Sequence, residues 1–190
     1  MPKIVDHEKY RKELLWKSFD LFAQRGYASV TMREIAKYLG VSTGTLYHYF
    51  PNKEALFLQL IEEQSQQDII NFLAEAGNIK YVPERIRAVV SFVEKNEEYF
   101  ISQFLLWSDF YQQQGKSEVL NNDILKKVAQ KSREELLNYL ELEDKAVADF
   151  VVNFLNGLIC VRMCEGEMVS YEEQGELLVQ MVSGYLANWE

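Results

Sequence analysis

The segment from Thr31 to Phe50 constrains the fold most. It contains two helix starts so close together that only Gly40, Val41 and Ser42 remain to join the helices. Thr31-Met-Arg-Glu34 is a capping box: the threonine hydroxyl accepts a backbone N–H, and the glutamate reaches back to the cap. Gly40 suits the left-handed residue that closes a helix, and Ser42 caps the next one. Ala36 is small enough for the two helices to cross closely. Val41 and Leu46 are expected to point inward against Ile35, Leu39 and the preceding helix. Thr43, Gly44, Thr45, Tyr47 and His48 are left outside, where a surface helix would ordinarily carry Lys and Glu. Exposed hydroxyls, an imidazole and a phenol, with no acid among them, suit phosphates and base edges. The bland alternative is a plain helical hairpin with a polar-aromatic outer face.

Similar punctuation runs along the whole chain. A first helix spans about Asp6 to Arg25 and stops at Gly26. Pro51 ends the helix after Ser42, and Asn52 caps a long one from Lys53 to about Ala76. Further helices are expected within 83–113, 118–140, 143–165 and 171–188, making about nine in all. Nine glycines and three prolines in 190 residues, with no sustained alternation of apolar and polar residues, favour an all-α fold. No apolar run approaches the roughly 18 residues that a membrane span needs. The start of the chain lacks the apolar stretch of a secretory signal. Two cysteines do not make a disulfide scaffold. These features lead to the expectation of a soluble cytoplasmic protein that makes no use of a membrane.

The net charge of −9 looks wrong for binding a polyanion, but it is unevenly distributed. Residues 1–60 carry nine Lys or Arg against six Asp or Glu, whereas residues 61–190 carry 11 against 23. A mildly basic head on a strongly acidic body implies two jobs in one chain. A small helical enzyme is disfavoured. His7 and His48 are the only histidines, and there is no phosphate-binding glycine loop, zinc-ligand cluster or nucleophile elbow. No catalytic residue, cofactor or metal is expected. Cys160 and Cys164 share a helix face and read as two core thiols, since a structural metal wants four ligands. An interaction scaffold built on the acidic body is a further, weaker reading.

Four runs together resemble the TetR family of transcriptional regulators. They are Phe22-Ala-Gln-Arg-Gly-Tyr27, Thr31-Met-Arg-Glu-Ile-Ala36, Gly40-Val-Ser-Thr-Gly-Thr-Leu-Tyr47 and Tyr49-Phe-Pro-Asn-Lys-Glu-Ala-Leu56. The resemblance covers about the first third of the chain. It implies a three-helix DNA-binding domain over residues 1–51, followed by a larger helical bundle over 52–190 for effector binding and dimerisation. Residue by residue, it places Ser42, Thr43, Gly44 and Thr45 at the bases and backbone. Tyr47, His48 and Tyr49 fall on positions that meet phosphates or thymine methyls, although His48-Tyr49 reverses the common aromatic-then-His order. Thr31 and Arg33 fall on the backbone-anchoring start of the second helix, and Lys53 on a phosphate-contacting lysine. That lysine stands where a helix dipole would prefer an acid.

In the body, two late helices carry wide apolar faces, which the resemblance assigns to a four-helix interface with a second copy. Val151, Phe154, Gly157, Leu158, Met181, Gly184 and Tyr185 are the candidates, the two glycines permitting close approach. Phe100, Phe104, Trp107 and Tyr111 share one helical face. They are candidate lining for an effector pocket, which is by default apolar and aromatic. A small apolar or aromatic effector is expected, and the acid excess adds a cationic one. The sum is a homodimeric repressor, released from a near-palindromic double-stranded operator by a small molecule. A ligand-independent regulator or an activator of the same build is the alternative.

Overall fold

The structure, a computed structural model, describes residues 6–187. Among these the chain is all-α. The helices are α1 (His7–Arg25), α2 (Met32–Leu39), α3 (Thr43–Tyr49), α4 (Lys53–Ala76), α5 (Val82–Lys95), α6 (Glu97–Gln114), α7 (Lys116–Asn121), α8 (Asp123–Leu140), α9 (Lys145–Glu165) and α10 (Tyr171–Ala187). A single 3-10 turn, Gly166–Met168, joins the last two. There is one helix more than expected, because the stretch 118–140 breaks at Asn122. The Asn122 side-chain oxygen accepts N–H bonds from Ile124 at 3.1 Å and Leu125 at 3.2 Å. A side chain that satisfies the start of a new helix competes with continuation of the old one.

The chain divides by packing into two compact units, residues 1–67 with 105–128 and residues 68–104 with 129–190. This division differs from a cut by motif at residue 51, since α4 and α6 each contribute to both units. In the first unit, α1, α2 and α3 close around Leu15, Phe22, Ile35, Leu46 and Phe50, all fully buried. Leu56, Phe57 and Leu60 of α4, together with Phe110 of α6, complete this core. Its centre is aromatic: Phe57 stacks on Phe110 at 4.9 Å, and Tyr27 packs against both.

The second unit is built on Ile86, Val90, Val151, Leu155, Leu178 and Val182. Here α10 lies against α5 with Gly175 buried at the contact. A Cβ on Gly175 would come within 3.0 Å of Val90 Cγ1. Arg162 ties the unit together: it bonds both oxygens of Glu97 at 2.7 and 2.9 Å, donates to the Val169 carbonyl and lies 4.9 Å over the Tyr171 ring.

Helix α9 departs from the expectation that nothing in the chain is long and apolar enough to span a membrane. The stretch Lys145–Met168 passes that test by length and composition, yet only 33% of its most apolar 18-residue window is buried. Counting uninterrupted apolar runs missed it because scattered polar residues interrupt the run. Val147, Val151, Leu155, Leu158 and Ile159 face the core of this unit. Phe150 and Val161 stand exposed on other sides of the helix.

Candidate nucleic-acid interface

The helix-turn-helix forms as its sequence requires. Thr31 accepts the Glu34 N–H at 3.3 Å, while the Glu34 carboxylate accepts the Thr31 N–H at 2.9 Å and its hydroxyl at 2.7 Å. These bonds, the threonine hydroxyl first, hold the Glu34 carboxyl below the usual range. The Thr31 hydroxyl is therefore engaged in capping. Gly40 adopts φ +69°, which lets the chain turn from α2 into α3 within three residues. Ser42 accepts the Thr45 N–H at 2.9 Å, and the two hydroxyls pair at 2.8 Å. Leu46 is fully buried beneath the helix, and Val41 is half-buried.

That anchoring leaves Thr43, Gly44, Tyr47 and His48 exposed on α3, Thr45 half-buried beside them, and Arg33 exposed on α2. Tyr47 is 52% exposed, far more than a tyrosine placed for packing. Tyr49 is half-buried. Its hydroxyl lies 2.9 Å from His7 Nδ1, and its ring packs on Tyr10 at 5.6 Å and on His48 at 5.1 Å. Sequence reading gave His7 no role. The available signal was that the chain has only two histidines, which meet here.

Lys53 has a local partner. Its ammonium donates to the Tyr27 carbonyl at 2.8 Å and sits 4.2 Å over the Tyr27 ring. Burial pulls its amine below the ordinary lysine range, against the pull of the Asp109 charge. Asp109 accepts the Ala28 N–H at 2.9 Å, and Gln114 donates to the Tyr27 hydroxyl at 3.0 Å. The turn 26–28 that leads into α2 is thus held by α4 and α6 side chains. Gly26 has φ +77°, and a Cβ there would meet Asp109 Oδ2 at 2.7 Å. Asp109 and Gln114 lie far from the motif in sequence, which is why sequence reading missed them.

The candidate pocket residues share α6 but divide between the units. Phe100 packs on the second core and Trp107 on the first, Phe104 is half-buried, and Tyr111 is 41% exposed. A cleft of about 220 Å³ in the second unit has other walls: Phe72, Ala76, Ile79, Ala88, Ser91 and Phe92, with a Glu75–Lys95 ion pair. The candidate dimer residues also divide. Val151 and Leu158 are buried in the chain's own core, and Phe154 is half-buried against it. Gly157, Met181, Gly184 and Tyr185 are exposed, and a Cβ on either glycine would meet nothing within 4 Å. Within this chain a close helix approach occurs at Gly175, against Val90. Periodicity could not separate the two faces of α9 because both are apolar.

Residues 14–60 match the model of the bacterial regulatory proteins of the tetR family. The HTH-type transcriptional regulator UidR of Escherichia coli K12 is 31% identical over 81 residues, 43% of this chain and 41% of that protein. The chain therefore spans less than half the length of that relative. The HTH-type transcriptional regulator BetI of Rhizobium meliloti is 24% identical over 98% of this chain and 94% of its own length. Among solved structures, a TetR transcriptional regulator from Rhodococcus sp. RHA1 superposes with a TM-score of 0.66 at 21% identity, covering 97% of this chain and 100% of that one. A transcriptional regulator of Saccharomonospora viridis, in complex with choline, gives 0.69 at 18% identity, covering 93% and 97%. FadR of Bacillus subtilis, in complex with stearoyl-CoA, gives 0.67 at 15% identity, covering 90% and 96%. Each of these relatives is named a regulator, and none an enzyme. Residues 14–60 thus carry the helix-turn-helix module of the tetR family, within a helical fold shared with these solved regulators.

Proposed function

We propose that the protein is a cytoplasmic, homodimeric, sequence-specific DNA-binding regulator, acting as a repressor that a small molecule releases from a near-palindromic operator. The observation that carries this reading is the outer face of α3. A helix start fixed by Ser42 and a buried Leu46 presents Thr43, Gly44, Tyr47 and His48 to solvent with no acidic side chain among them. Thr43 and its neighbours read base edges, and Arg33, Tyr47, His48 and Tyr49 meet the backbone. Lys53 adds a charge beside the turn into α2.

The exposed apolar side chains of the last two helices support dimerisation: Phe150 and Val161 on α9, and Leu177, Met181 and Tyr185 on α10. Exposed apolar side chains gathered on two helices suit an interaction site, and a two-fold dimer places two recognition helices on successive half-sites. The effector reading rests on relatives bound to choline and to stearoyl-CoA, two ligands of unlike chemistry, and on the aromatic side of α6. Phe100, Phe104, Trp107 and Tyr111 remain its proposed lining, for a small apolar, aromatic or cationic ligand. Effector binding shifts the dimer population toward a spacing that no longer fits the operator.

Selection of bound duplexes from a random pool tests the reading. The expected product is a near-palindrome with half-sites about one helical turn or more apart. Thr43→Ala changes base preference at one position per half-site. Lys53→Ala weakens binding to all duplexes alike and flattens the salt slope by about one unit per half-site. Recovery of no common sequence overturns the assignment.

A further inference from the structure

Both histidines of the chain converge at one place, where the start of α1 meets the end of α3. The His7 and His48 rings lie 6.3 Å apart, and Tyr49 packs against both, its centroid 6.1 Å from His7 and 5.1 Å from His48. His7 Nδ1 and the Tyr49 hydroxyl are 2.9 Å apart. His7 lies outside the segment matched to the family model, which begins at residue 14, and both histidines are solvent-exposed. We propose that His7, His48 and Tyr49 form a proton-charged clamp on one DNA backbone phosphate, so that operator affinity rises as pH falls. The proposal rests on the DNA-binding reading above and adds a contact residue from α1 together with a pH response.

Hydrogen-bond chemistry sets the direction. A neutral imidazole has one acceptor nitrogen, so it can accept a hydrogen bond from the Tyr49 hydroxyl. A protonated imidazole has two donors and no acceptor. With His7 protonated, Nδ1–H must donate to the Tyr49 oxygen, and the phenolic proton becomes free to donate to a phosphate oxygen. The same protonation places positive charge beside that phosphate, where charge-assisted bonds are strongest. Histidine is the side chain whose charge ordinarily changes between pH 5 and 8.

Among the described residues, several charged groups on the neighbouring helices have partners of their own. On α1, Asp6 caps the Lys9 N–H, and Glu8 pairs with Arg11 at 3.2 Å. On α4, Gln59 accepts from Arg11, and Glu63 pairs with Lys12 at 2.7 Å. From α3 the cluster receives His48 and Tyr49, and from α1 also Tyr10.

The test measures operator affinity of the tag-free full chain at constant salt from pH 8.0 to 5.5. The expected gain is on the order of 3–10-fold between about pH 7.5 and 6.0, with a salt slope steeper by about one charge per half-site at the lower pH. His7→Gln and His48→Gln, which keep hydrogen-bonding capacity, are each expected to remove part of the gain, and the double variant all of it. With only two histidines in the chain, each ring gives its own NMR titration, and both midpoints are expected to rise when the operator is added. An unchanged pH response in a folded double variant, or midpoints that do not move on DNA, overturns the clamp while leaving the regulator reading intact. Wild-type protein that binds no duplex at any pH or at low salt overturns the regulator reading, and the clamp with it.

Discussion

Arg162 shows how a single residue can hold an otherwise apolar unit in register. Its side chain is 12% exposed, and the guanidinium joins the start of α6 through Glu97, the end of the 3-10 turn through the Val169 carbonyl, and the start of α10 through the Tyr171 ring. Its paired hydrogen bonds hold the Glu97 carboxyl below the ordinary glutamate range, outweighing the opposite effect of burial. A carboxyl with a lowered folded pKa contributes stability that is fully present above the unfolded glutamate pKa. That contribution is lost as pH falls through the lower folded value. Glu97→Gln is therefore expected to lower stability at neutral pH by about 2 kcal/mol and to flatten the loss of stability below about pH 5. Urea melts from pH 7 to 3 check this; equal acid sensitivity in both proteins would show that the pair carries no pH-dependent stability. Neither partner was legible as such in the sequence, because 65 residues separate them.

Helices α9 and α10 each have one face committed to the chain's own core and another left uncovered. Gly175 sits on the committed face, against Val90, and Gly157 on the uncovered one. The two positions should therefore respond differently to bulk. Gly175→Leu overpacks a β-branched neighbour with little rotamer freedom and is expected to cost about 1–3 kcal/mol of the chain's own stability. Gly157→Leu is expected to leave the helical fold intact and to weaken dimerisation at least tenfold, carrying operator affinity down with it. Circular dichroism melts and analytical ultracentrifugation of both variants decide the matter. A wild-type monomer at micromolar concentration would remove the dimer from the mechanism. The glycines of α9 and α10 were visible in the sequence, but the side each one faces was not.

For the molecule as a whole, the repressor reading requires coupling between ligand and DNA, and such coupling is reciprocal. A ligand that weakens operator binding tenfold must itself bind about 1.4 kcal/mol less well to the DNA complex than to the free protein. A fluorescence screen of lipophilic and cationic compounds is expected to find quenching that disappears in Trp107→Phe while thermal stabilisation by the same compound persists. Two other tryptophans contribute background: Trp16 on α1, and Trp189, which lies outside the described residues. If no compound in a broad screen raises the melting temperature, the protein works without an effector and the aromatic stripe of α6 is only core.

By itself, the sequence determined the fold class and the recognition module. Both depend on short-range chemistry: caps at Thr31 and Ser42, a left-handed glycine at position 40, and one buried leucine beneath an exposed polar face. Those interactions span a few residues, so the local order of amino acids states them completely. Only the tertiary structure decided how the candidate residues are partnered. It showed Lys53 bonded to the Tyr27 carbonyl, Asp109 and Gln114 supporting the turn before α2, Val151 and Leu158 inside the chain's own core, and the candidate pocket residues of α6 shared between two units. The physical reason is that a helix with two apolar faces, or a lysine with three donors, has several partners of comparable energy. Which one it meets depends on segments that only folding brings alongside.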